Sequence, residues 1–116
     1  MSRPFEWGRC DCCTAACDVF AALWGFDPMA PVRGYHGARE AAQLMARPGG
    51  LAALADDLTR RAGLREGHAV GGLAIVTPSA PSGRPSILIC IEPGFWAGKS
   101  PNGFAILRCA DKGWHA

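Results

Sequence analysis

The feature that most constrains this chain is a change of hydrophobic period near Gly72. Upstream of it, Cys12, Ala16, Val19, Phe20 and Leu23 recur at helical spacing. Ala38, Ala41, Ala42 and Met45 form a second such set, and Leu51, Leu54, Ala55, Leu58 and Ala62 a third. Asp11 is placed to cap the first helix, and Gly25 to end it before the Pro- and Gly-rich "FDPMAPVRGYHG". "RPGG" closes the second helix and Gly63 the third. Downstream, "LAIVT" and "SILICIE" are short β-branched runs parted by "PSAPSGRP", and "FAILRC" follows the turn "GKSPNG". Helices first, then neighbouring strands joined by turns, predict an α+β domain with N-terminal helices packed on a small antiparallel sheet.

A chain of 116 residues has room for one modest core, so a single domain over 1–116 is expected. Its net charge of +2 is spread without a long basic run, which gives no electrostatic case for a nucleic-acid partner. Arg60, Arg61 and Arg65 read as a solvated helix end that complements the helix dipole. The start "MSRPFEWG" does not have the pattern of a signal peptide, and no apolar stretch is long enough to span a membrane. The expected setting for folding is therefore a reducing cytoplasm, where stable disulfides are disfavoured.

Cysteine usage concentrates the chemistry: Cys10, Cys12, Cys13 and Cys17 stand among the chain's six cysteines, with Cys90 and Cys109 in candidate strands. A thiol at a helix start sees unpaired N–H groups and the positive end of the dipole, which lower its pKa and favour the nucleophilic thiolate. Asp11 next to Cys12 opposes this, and a buried, inert cysteine is the competing reading. A one-residue shift at the helix start would make Cys13 the thiol that faces the sheet. A different chemistry is a zinc or iron–sulfur site on these cysteines, suggested by the C-x-x-C of Cys10 and Cys13. "CDCCTAAC" lacks a second C-x-x-C, and sulfurs spread around one helix do not converge on one ion, so no resident cofactor is expected. A disulfide through Cys10 is the remaining use of these thiols. Phe95, Trp96, Phe104 and Trp114 read as core or contact residues rather than a glycan groove, with Trp114, in the polar "DKGWHA", the one best suited to docking on a neighbouring subunit.

These motifs carry a resemblance. "FEWGRCDCC" followed by a helix resembles the "WGG…DCSG" segment of NlpC-type papain-like cysteine peptidases, cell-wall hydrolases whose nucleophile is the Cys after that Asp. The match falls on Cys12. "GGLAIV" resembles the family's first strand, "GDLVFF", and "SILICIE" the next one, "HVGIYLG". Trp7, Gly8, Asp11, Cys12, Gly71 and Leu73 thus occupy family-like positions. The chain as a whole is similar to a small branch of that superfamily encoded in phage and gene-transfer-agent tail modules, with a "WG…DCC" start and a "G…Y…A" helix in its middle. The resemblance implies a papain-like, NlpC-type fold, synthesis in the bacterial cytoplasm, a place in the virion tail, and neighbouring tail proteins and peptidoglycan peptides as partners.

Two departures from the pattern bear on activity. Where the peptidases carry the histidine that opens the second strand, this chain carries Ser86, and the Asp of "GD" is Gly72. A serine hydroxyl has no basic site comparable to imidazole and does not accept a thiol proton near neutral pH. Among His36, His68 and His115, the family arrangement favours His68 as a substitute base, because its strand neighbours the first helix. The expectation is a tail-tip or tail-assembly component that is either a degenerate peptidase or a peptidoglycan hydrolase using Cys12 with another base.

Overall fold

The computed structural model describes residues 4, 6–8, 11–46, 49–77, 85–100 and 103–116. The expected turn residues 47–48, 78–84 and 101–102 lie outside the described residues, as does Cys10. Three α-helices come first: α1 (Cys12–Trp24), α2 (Gly37–Met45) and α3 (Gly50–Arg61). Six strands follow: β1 (Arg65–Glu66), β2 (Leu73–Val76), β3 (Ser86–Glu92), β4 (Phe95–Ser100), β5 (Gly103–Leu107) and β6 (Lys112–His115). They form one sheet in the order β1-β6-β2-β3-β4-β5, and every pairing is antiparallel. The architecture is α+β, as the change of period implied. Among the described residues no helix is long and apolar enough to cross a membrane.

Helix α1 starts where Asp11 caps it and stops at Gly25, which takes a left-handed conformation and donates its N–H to the Ala21 carbonyl at 2.8 Å. Its buried face runs through Ala16, Cys17 and Phe20. Leu23, at the far end of the expected stripe, stays 58% exposed. Helix α3 buries Leu51, Leu54, Ala55 and Leu58, the i, i+3, i+4, i+7 set of an amphipathic helix. Its last-turn Arg61 pairs back to Asp57 at 3.2 Å, and Arg60 likewise pairs to Asp56, so these charges are spent along the helix's own solvated face.

Both faces of the central strands β2 and β3 are covered over most of their length, and this explains why "LAIV" and "SILIC" are continuous rather than alternating apolar runs. Leu73, Ile75, Ile87, Ile89, Ala97 and Trp114 face the helices and share one core with Phe20 and α3. Ala74, Leu88, Cys90 and Trp96 face the other way and form a smaller cluster. Strands β4 and β6 were not visible as strands in the sequence. Trp114 corrects one expectation: it is 3% exposed, pairs with Leu73 in the sheet and belongs to the core, so it is not a docking residue. Phe95, Trp96, Phe104 and Trp114 do not line a common groove, since Trp96 and Trp114 occupy opposite faces.

Candidate functional site

The site is organised by Asp11, a carboxylate only 1% exposed. Its Oδ1 accepts the Thr14 N–H at 2.8 Å and the Thr14 hydroxyl at 3.0 Å, while Thr14 Oγ1 accepts the Asp11 N–H at 2.8 Å. This reciprocal capping box fixes the first turn of α1. Oδ2 accepts the Gly8 N–H at 2.9 Å and the Tyr35 hydroxyl. Gly8 sits at φ +84°, and a Cβ there would run into the Tyr35 carbonyl oxygen, so the loop before α1 and the loop before α2 meet only because position 8 has no side chain. Burial, and then the bond to Asp11, push the Tyr35 phenol far up, so it stays a proton donor to the carboxylate. Asp11 is therefore a strut with its lone pairs engaged, and it is not aimed at any base.

Cys12 is the first residue of α1 and is half-buried against the sheet. Its Sγ lies 3.8 Å from the Cys13 Sγ. The Cys12 thiol is pulled below its ordinary range, first by the hydrogen bond from Cys13, with the backbone N–H groups of Ile87 and Cys13 acting in the same sense. Burial and the Asp11 charge act in the opposite sense. Cys13 moves well upward as the proton-holding partner of the pair, reinforced by its own burial. Within this pair the hydrogen bond favours the thiolate on Cys12 and the proton on Cys13. The Ile87 contact places the sulfur at the opening of β3, beside Ser86.

A cavity of about 200 Å³ opens from this point between α1, α3 and the sheet. Cys12, Ser86, Asp11 and Tyr35 contribute to its wall, Leu51, Leu54 and Leu58 supply hydrocarbon, and no histidine lines it among the described residues. Cys12 and Ser86 are thus brought to one space. His68 is not. Its ring lies 5.2 Å from the Trp96 ring in an edge-to-face contact, and a Cβ on Gly113 would collide with it. Both neighbours belong to the sheet face opposite α1, so the expectation that His68 replaces the missing base is corrected: the sheet itself lies between it and the thiol. His36 precedes α2 with its N–H bonded to Glu40, and His115 sits beside the terminal residue, its Nδ1 3.0 Å from the Ala116 oxygen.

Among the described residues the remaining cysteines do not gather. Cys17 is buried beneath α1, and burial raises its thiol to about 12. Cys90 lies on the far sheet face, its thiol raised by burial and directed to the Glu92 carbonyl at 3.2 Å, and Cys109 is exposed. Among the described residues no group of three or more His, Cys, Asp or Glu is placed to hold a metal ion. The C-x-x-C and the disulfide reading both involve Cys10, outside the described residues.

Three site residues escaped the sequence reading. Thr14 was legible in principle, because Asp-x-x-Thr ahead of an apolar helix is close to a capping-box signature. Tyr35 is the chain's one tyrosine but gave no sign that it would reach back to Asp11. Lys99 is 5% exposed and lines the cavity, yet it fell in a segment read as a turn, where a lysine signals nothing.

No curated protein and no solved structure matches the chain. The family described as Domain of unknown function (DUF6950) matches residues 1–115, and with nearly every residue covered the chain belongs to that family.

Proposed function

We propose that this domain is a tail-tip or tail-assembly component of a phage-like particle, built on an NlpC-type, papain-like plan in which peptide hydrolysis has been lost. The observation that carries the reading is the pairing of Cys12 with the start of β3. A helix-start thiol meets the strand position at which the resembling peptidases carry their histidine, and that position is Ser86. The geometry supports a retained nucleophile position, and the chemistry around it lacks the base that amide hydrolysis requires. Exposed apolar side chains such as Leu23, Val70 and Phe104 offer surface to neighbouring tail proteins.

The test is twofold. Purified protein incubated with peptidoglycan peptides should release no new fragments, whereas cleavage lost in Cys12→Ala would overturn the loss of activity. In a particle complementation assay, Cys12→Ala should assemble as well as wild type while deletion of the domain abolishes assembly. Normal particles without the domain would remove the structural reading.

A further inference from the structure

We infer that the cavity beside Cys12 accepts the hydrocarbon part of an acyl thioester, and that Cys12 takes the acyl group from it by thioester exchange. This goes beyond a tail role, since it assigns a substrate class to the cavity, and it holds whether or not the domain sits in a tail.

The leaving group separates amide from thioester chemistry at this site. Breaking an amide expels an amine, which must be protonated as it departs, and a positioned acid is needed for that. The described groups on the cavity wall do not provide an imidazole, Asp11 is consumed as cap and strut, and the Tyr35 hydroxyl is engaged as a hydrogen-bond donor to Asp11. A thioester expels a thiolate, whose conjugate acid has a pKa of about 8.5, so it departs near neutral pH without a proton. The attacking sulfur needs no separate base either. It lies at a helix start, 3.8 Å from the Cys13 sulfur, and the Cys13 thiol, then the Ile87 and Cys13 N–H groups, hold its pKa below the ordinary value. The side chains present therefore match thioester chemistry and mismatch peptide hydrolysis.

Native interiors hold few voids larger than a water molecule. The cavity here is about 200 Å³, and its wall is mostly hydrocarbon from α3, Met29 and the helix-facing side of the sheet. An apolar cavity of about 150 Å³ is enough for benzene, so this one suits an acyl chain of about six to eight carbons.

The Cys12 thiolate attacks the thioester carbonyl carbon and a new C–S bond forms; the oxyanion then collapses, the C–S bond to the donor breaks, and the donor sulfur leaves with the electron pair. No oxidant, reductant, metal or net proton is consumed. The products are acyl-Cys12 and the free donor thiolate.

The experiment uses the full chain, reduced, with octanoyl-coenzyme A and separately with acetyl-coenzyme A near pH 7.5, read by intact mass and peptide mapping. The expected result is one octanoyl group on Cys12, released by neutral hydroxylamine, absent in Cys12→Ser, kept in Cys109→Ser, and formed at least tenfold faster than the acetyl adduct. Ala55→Leu, which narrows the cavity, should slow octanoyl transfer while leaving iodoacetamide labelling of Cys12 unchanged. The inference is overturned by no adduct, by label distributed equally to the exposed Cys109, or by equal octanoyl and acetyl rates in the wild-type protein. Because peptidoglycan cleavage and particle assembly are read separately, failure here is distinguishable from failure of the tail reading.

Discussion

At the scale of single residues, the division of labour between Asp11 and Cys12 decides what the helix start can do. Adjacent acid and thiol suggest a catalytic pair, but the carboxylate is turned into the protein, where Gly8, Thr14 and Tyr35 occupy it. Removing it would strand several buried donors at once, each costing about 1–3 kcal/mol. Asp11→Ala should therefore lower unfolding stability by about 3 kcal/mol or more in urea titration, and Asp11→Asn, which keeps an acceptor, by less. A loss below about 0.5 kcal/mol in the alanine variant would show that the carboxylate is not a strut. The pairing of Cys12 with Ser86 was legible only through the resemblance to the peptidases, which sets one at their nucleophile and the other at their strand histidine, while the helix start and the strand start themselves were readable from local pattern. The exclusion of His68 was not, since which face of a sheet a loop residue covers depends on packing that no local pattern records.

At the scale of elements, the helices were the most readable part. Their stripes, the Asp11 cap and the Gly25 stop are local signals. Strands β2, β3 and β5 were readable as β-branched or apolar runs. Strand β4, "FWAGKS", contains a glycine and a lysine and becomes a strand because β3 and β5 pair with it from both sides. Strand β6 likewise depends on a distant partner, β2. Such pairings are non-local, and propensity cannot anticipate them. The packing of α1 on the sheet also makes a pH prediction through Cys17. Its thiol is raised from 9.0 to about 12 by burial, so the folded state holds the proton while an unfolded chain releases it. The contribution of a raised pKa is complete below the unfolded value and is lost as pH rises toward the folded one, so stability should fall between about pH 9 and pH 12, by up to about 1.4 kcal/mol per pH unit. Cys17→Ala should show a shallower alkaline decline than wild type in denaturant titrations at several pH values. Parallel curves would mean that Cys17 ionises freely in the folded protein.

At the scale of the whole molecule, β6 closes the design. It returns from the β5 side to pair with β2 and delivers Trp114 into the core shared by α1, α3 and the central strands. Lys112, two residues earlier, pairs with Asp56 of α3 at 3.0 Å, tying the same strand to the helical layer. Trp114→Ala should cost about 3–5 kcal/mol of stability and lower the melting temperature, as expected for a large buried aromatic. A near-neutral result would mean that the C-terminal strand docks without supporting the core. The arrangement brings the helix start and the opening of β3 to the wall of one apolar cavity, and among the described residues no histidine joins Cys12 there.

The central claim is that Cys12 is made nucleophilic by its hydrogen bond from the Cys13 thiol and by the backbone N–H groups at the helix start. Residue-resolved alkylation of the reduced protein with iodoacetamide from pH 5 to 9 measures it directly. The account predicts that Cys12 is labelled first, with a midpoint below that of an ordinary thiol, while Cys13 and Cys17 stay unmodified across the range. Labelling of Cys12 no earlier than the exposed Cys109, or of Cys13 ahead of Cys12, would contradict it.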